Sequence, residues 1–113
     1  MENKIIEKVI RDGNALAEKM RNSKSLAEIT ALKKTVDEYS EFVDEHFGVI
    51  GDLDYKECAI TIYLYVAYNE RKGALEYPED KFQHRLGETF IEDFVKFVNS
   101  QTWIHESYGI PVE

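Results

Sequence analysis

The chain holds almost none of the chemistry that staples small proteins together. Cys58 is the single cysteine among 113 residues, so no internal disulfide can form, and the expected compartment is the reducing cytoplasm. Prolines number two, Pro78 and Pro111, and no Pro/Gly-rich linker, repeat or low-complexity tract divides the chain. One helical domain over residues 1–113 is the expectation. The longest uncharged run, Cys58 to Asn69, is 12 residues, short of the roughly 20 that a helix needs to cross a bilayer. A membrane span is thereby excluded. Charge also interrupts Met1 to Lys8 too often for the apolar core of a signal peptide.

Positive charge is the other scarcity. Lys and Arg total 14 against 22 Asp and Glu, a net charge of −8. The imbalance is uneven: residues 1–34 carry eight bases and five acids, whereas the remainder carries six and seventeen. Such a surface repels nucleic acid and steers basic partners toward it, so DNA or RNA binding is not expected. Leu, Ile, Val and Phe nevertheless number 31, enough for a real core and above the level at which a charged chain stays unfolded.

Apolar spacing divides the chain into four helical segments. Over residues 2–22, Ile5, Ile6, Val9, Ile10, Leu16, Ala17 and Met20 recur at three and four, with Gly13 weakening the middle. A capping box, Ser25-Leu26-Ala27-Glu28, opens the second segment, which carries Leu26, Ile29, Leu32, Val36, Tyr39, Val43 and His46 on one face and stops at Gly48. The third segment is ambiguous: Ala59 to Val66 is β-branched and aromatic as a strand would be. End chemistry decides for a helix, with Asp54-Tyr55-Lys56-Glu57 at its start and Gly73 placed to terminate it. The fourth follows Tyr77-Pro78, with Glu79 and Asp80 in its first turn and an apolar face of Phe82, Leu86, Phe90, Ile91, Phe94, Val95, Phe97 and Val98. Trp103, Ile104, Tyr108 and Ile110 predict a tail that packs back. Short connections then imply an all-α antiparallel four-helix bundle with a short packed C-terminal tail.

The most suggestive constellation is acidic. At about 100° per residue, Asp37, Glu38, Glu41, Asp44 and Glu45 share an arc of roughly 120° on the second segment, opposite its apolar residues. They crowd toward the helix C-terminus, where the macrodipole disfavours negative charge. Lys33 and Lys34, one turn earlier, stand where they can pair with Asp37 and Glu38. The strip has two readings, the ordinary solvated face of an amphipathic helix and a docking surface for a protein with a basic surface; the second makes the chain a non-catalytic, cofactor-free binding protein of the immunity, antitoxin or phage-antagonist kind.

An enzyme is the alternative. Carboxylates carried on two helices can hold Mg²⁺, and Glu38, Glu41 and Glu45 with Glu88 and Glu92 are the candidate ligands. Within that set Glu38-Tyr39-Ser40-Glu41 resembles the Glu-x-x-Glu of the all-α nucleotide pyrophosphohydrolases, and the resemblance implies Mg²⁺-dependent nucleotide hydrolysis. Asp93 extends that set. The companion Glu-x-x-Asp is missing, since Ile60 follows Glu57 and Ile91 follows Glu88 at that offset. Other signals are weak. His46, His84 and His105 form no ligand spacing, and His84 stands one turn from Glu88 as its expected partner. Cys58 is read as a small inert core thiol. Gly48-Val49-Ile50-Gly51 fails as a phosphate loop because Asp52 and Asp54 crowd it, and Asp52 to Glu57 is too short for a Ca²⁺ loop. Tyr63, Tyr65 and Tyr68 are read as core residues with hydroxyls at the bundle edge, or else as a groove or homodimer seam.

Overall fold

The computed structural model describes residues 2–47 and 54–99, and every element among them is helical. In chain order they are α1 (Glu2–Asn22), α2 (Leu26–Ala31), α3 (Lys33–Phe47), α4 (Asp54–Glu76) and α5 (Lys81–Asn99). α2 and α3 form one rod with a break, so four rods run up, down, up and down. Successive cross-contacts fix the antiparallel sense: Asn14 with Asn99 and Arg21 with Glu92 between α1 and α5, Tyr63 with Phe97 and Glu70 with Gln83 between α4 and α5, and Lys8 with Phe42 and Val9 with Tyr39 between α1 and α3. The expected all-α bundle is the observed one. Gly48 and the tail 101–113 lie outside the described residues, as do the side chains of His46 and Cys58.

α4 settles the helix-or-strand question. Residues 60–66 are helical, and α4 packs against each of the other helices, which is why it is apolar on nearly all sides. Three boundaries differ from expectation. Gly73 does not end α4, which continues to Glu76; the missing Cβ instead makes room for Gln83, whose Nε2 would lie 3.0 Å from it. The second segment is not one helix, because the Leu32 amide turns back to the Ile29 carbonyl at 3.0 Å, a tight turn between α2 and α3. α5 begins at Lys81 rather than with acids in its first turn, and Asp80 caps it by accepting from the Gln83 amide at 3.0 Å.

The core is continuous across all five elements. Val9, Leu16, Ala17 and Met20 of α1 meet Ile29, Val36, Val43, Ile60, Leu64, Ile91, Phe94 and Val98. Each large side chain so buried contributes about 1.5–3 kcal/mol. Phe82 departs from the expected apolar face: it is 63% exposed, with the Arg85 guanidinium 5.8 Å from its ring centre. Leu26 is exposed as well, which leaves Ile29 as the buried anchor of α2.

Gly13 marks a close approach rather than a weak point. A Cβ there would lie 2.7 Å from the Tyr39 hydroxyl and 2.9 Å from Val98 Cγ1. The space it leaves admits the Tyr39 hydroxyl, which donates to the Val9 carbonyl at 2.8 Å while the ring meets Phe94 edge-on. Burial pushes the Tyr39 phenol well above its ordinary pKa. Gly87 does the same between α4 and α5, where a Cβ would stand 3.1 Å from the Glu70 carbonyl oxygen.

Candidate functional site

α3 is oriented by contacts on both of its flanks. On one side Tyr39 reaches the α1 backbone. On the other the Tyr65 hydroxyl of α4 donates to Asp37 Oδ1 at 2.6 Å, and Lys33 Nζ lies 3.0 Å from both Asp37 oxygens. The Tyr65 hydrogen bond, followed by the Lys33 ammonium, holds the Asp37 carboxyl below the usual carboxylate range. The same bond raises the Tyr65 phenol. Asp37 is therefore half-buried and engaged within the chain, unlike the rest of the strip.

Glu38, Glu41, Asp44 and Glu45 are all exposed, and none makes an ion pair among the described residues. The Lys33 to Asp37 pair forms as the spacing predicts; the Lys34 to Glu38 pair does not. Helical geometry puts Asp44 on the α4 edge with Asp37, Glu45 on the α1 edge with Glu38, and Glu41 between them. The edge nearest α1 borders a groove of about 310 Å³ between α1 and α3. Leu16 and Tyr39 form its buried floor, and Ala15, Lys8 and Lys19 belong to its α1 wall. Lys8 Nζ sits 5.2 Å from the centre of the Phe42 ring and 2.6 Å from Asp12 Oδ2. Partial burial raises the Asp12 carboxyl, but Lys8 and Arg11 outweigh it and the net displacement is downward.

The carboxylates of the alternative metal set are not brought together. Glu88 and Glu92 of α5 turn toward Arg21 of α1, with Glu88 Oε2 3.7 Å from Arg21 Nε and Glu92 bonded to Arg21 Nη2. Glu88 also lies 3.5 Å from Arg71 Nη1. Glu38, Glu41 and Glu45 stand on another rod, and among the described residues no three His, Cys, Asp or Glu side chains gather as a metal site would require. His84 is not the partner of Glu88 either: its Nε2 lies 3.0 Å from the Pro78 carbonyl oxygen. Tyr68 is buried, Tyr63 leans on Phe97 with ring centres 5.1 Å apart, and Tyr65 is spent on Asp37.

Two features escaped the sequence reading. The α1–α3 groove depends on how far two rods stand apart, which no local pattern records. Arg71 is the second: only 11% exposed, it donates from Nε to the Met20 carbonyl at 3.1 Å and from Nη2 to those of Arg21 and Ser23 at 3.0 and 2.8 Å. Its signal was present, since Ile60, Leu64, Ala67, Arg71 and Ala74 form one helical stripe that a charge interrupts.

No protein-family model, curated protein or solved structure matches the chain. No helix among the described residues is long and apolar enough to cross a membrane.

Proposed function

We propose that this chain is a small acidic, non-catalytic binding protein that docks through α3 onto a basic surface of another protein and occludes it, as an immunity protein, antitoxin or phage antagonist does. The carrying observation is that Glu38, Glu41, Asp44 and Glu45 are exposed on one helix without ion pairs among the described residues, whereas Asp37, Glu88 and Glu92 are paired within the chain. Carboxylates displayed in this way give long-range steering and, once desolvated against Arg or Lys, charge-assisted bonds. The lone cysteine fits action in the reducing cytoplasm.

The test begins with capture of the partner from the host and continues with its association kinetics. Reversing Glu41 and Glu45 to Lys should lower the association rate by about tenfold or more at low salt and flatten its salt dependence. Unchanged kinetics at low salt dispose of the reading. Sedimentation of the chain alone reports whether the partner surface belongs instead to a second copy.

A further inference from the structure

We infer that the groove between α1 and α3 is the anchor pocket of this interface, and that it receives one aromatic side chain of a cationic partner segment. The inference rests on the docking role proposed for the α3 carboxylates and specifies the chemistry of what they hold. Acidic display alone gives steering without a fixed pose, because the energy of an interface concentrates where an apolar anchor is desolvated in a pocket. Such a pocket adjoins the strip. Its volume, about 310 Å³, lies at the small end of ligand-sized cavities and suits a single large side chain.

The lining chooses among side chains. The floor of Leu16 and Tyr39 is apolar, and exposed Ala15 leaves the α1 wall low enough to admit a ring. Lys8 already rests over one aromatic face, that of Phe42, and Lys19, exposed on the same wall, makes no ion pair among the described residues. Lys8 is engaged by Asp12 and Phe42, so Lys19 is the ammonium that attracts the π-face of an aromatic guest and repels an Arg or Lys head; the anchor is aromatic and not itself the cation.

The walls also fix the direction in which the segment lies. α1 presents Lys8, Asp12 and Lys19 to the groove, with Asp12 taken by Lys8 and Arg11, so that Lys19 is the charge left over on that wall; α3 presents Glu38, with Glu41 and Glu45 continuing along that rod. Charge complementarity therefore places the Arg or Lys residues of the partner on the α3 side of its aromatic anchor and keeps them off the α1 side.

Short random peptides displayed against the full-length chain supply the probe. The expected selection is an aromatic residue with Arg or Lys flanking it, and a selected peptide should shift the amide resonances of Lys8, Ala15, Lys19, Thr35 and Glu38 in the isotope-labelled, unsubstituted protein. Ala15→Trp fills the groove from an exposed helix position and should weaken that peptide by tenfold or more. The double reversal of Glu41 and Glu45 to Lys should weaken it comparably and leave the groove shifts in place. Retained binding to Ala15→Trp with loss on charge reversal overturns the anchor and spares the α3 reading. Loss in Ala15→Trp with none on charge reversal overturns both, because the basic flank is then unsupported. No enrichment, a consensus without an aromatic, or shifts elsewhere on the molecule also overturn the anchor, and the shift map decides even where Ala15→Trp does not fold.

Discussion

Replacing Arg71 by alanine tests whether one side chain of α4 closes the C-terminus of α1. The last carbonyls of a helix have no partner within it. In α1 the Lys19 carbonyl accepts from the Ser23 hydroxyl at 2.8 Å, and those of Met20 and Arg21 accept from the Arg71 guanidinium, which also takes the Ser23 carbonyl. Three bonds from a charged donor in a nearly buried position each carry more than a neutral pair, about 1.5–3 kcal/mol, although neighbouring bonds on one group do not add. Water can reach some of the carbonyls once the side chain is gone, which places the net loss for Arg71→Ala at about 3–5 kcal/mol. Arg71→Lys keeps the charge but not the planar fork, and should lose about 2 kcal/mol. Urea unfolding followed by circular dichroism measures both, with Lys33→Ala as an exposed-pair control of little effect. A loss below about 1 kcal/mol for Arg71→Ala refutes the cap.

Three further outcomes follow from the same contacts. Gly13→Ala gains about 1 kcal/mol of helix propensity but forces apart Tyr39 and Val98; a net loss of about 1–2 kcal/mol in thermal unfolding is expected, and a more stable variant refutes the close approach. Asp37 titrates below its unfolded value in the folded protein, so its stabilisation is complete above the unfolded pKa and disappears as pH falls through the folded one. Tyr65→Phe should therefore raise the Asp37 carboxyl midpoint in an NMR titration and narrow the stability gap to the parent below about pH 4; an unmoved midpoint removes the hydroxyl as cause. Because Glu88 and Glu92 are taken by Arg21 and stand apart from the α3 carboxylates, Mg²⁺ or Mn²⁺ should leave the melting temperature unchanged, whereas a cation bound only by the native state raises it.

What the sequence made legible was the arrangement of rods, and what it concealed was how they touch. α4 illustrates the first point: residues 60–66 have strand-like composition, yet the chemistry of their flanks fitted a helix, and the folded chain makes them the most surrounded helix of the bundle. Gly13 and Gly73 illustrate the second. Local propensity reads a glycine within a helix as weakness or as an end, but both lie where another side chain needs the volume of the missing Cβ. The docking strip divides in the same way. Its periodicity placed five carboxylates on one arc, and only the contact with Tyr65 separates Asp37, which orients α3, from the four residues left displayed.

That separation bears on how the strip works. Tyr39 against Val9 and Asp37 against Tyr65 hold the two flanks of α3, so the helix presents its four displayed carboxylates on one outward arc. Asp44 and Glu45 also occupy the last turn of α3, which ends at Phe47, where the macrodipole opposes each by about 0.3–1 kcal/mol at low ionic strength. The free protein thus carries an electrostatic cost at this surface that a cationic partner relieves on binding. Dissolved salt screens both effects. It lessens self-repulsion in the unbound chain and weakens attraction to the partner, so rising ionic strength should move stability and affinity in opposite directions, a pairing that a strip neutralised by its own lysines has no reason to show.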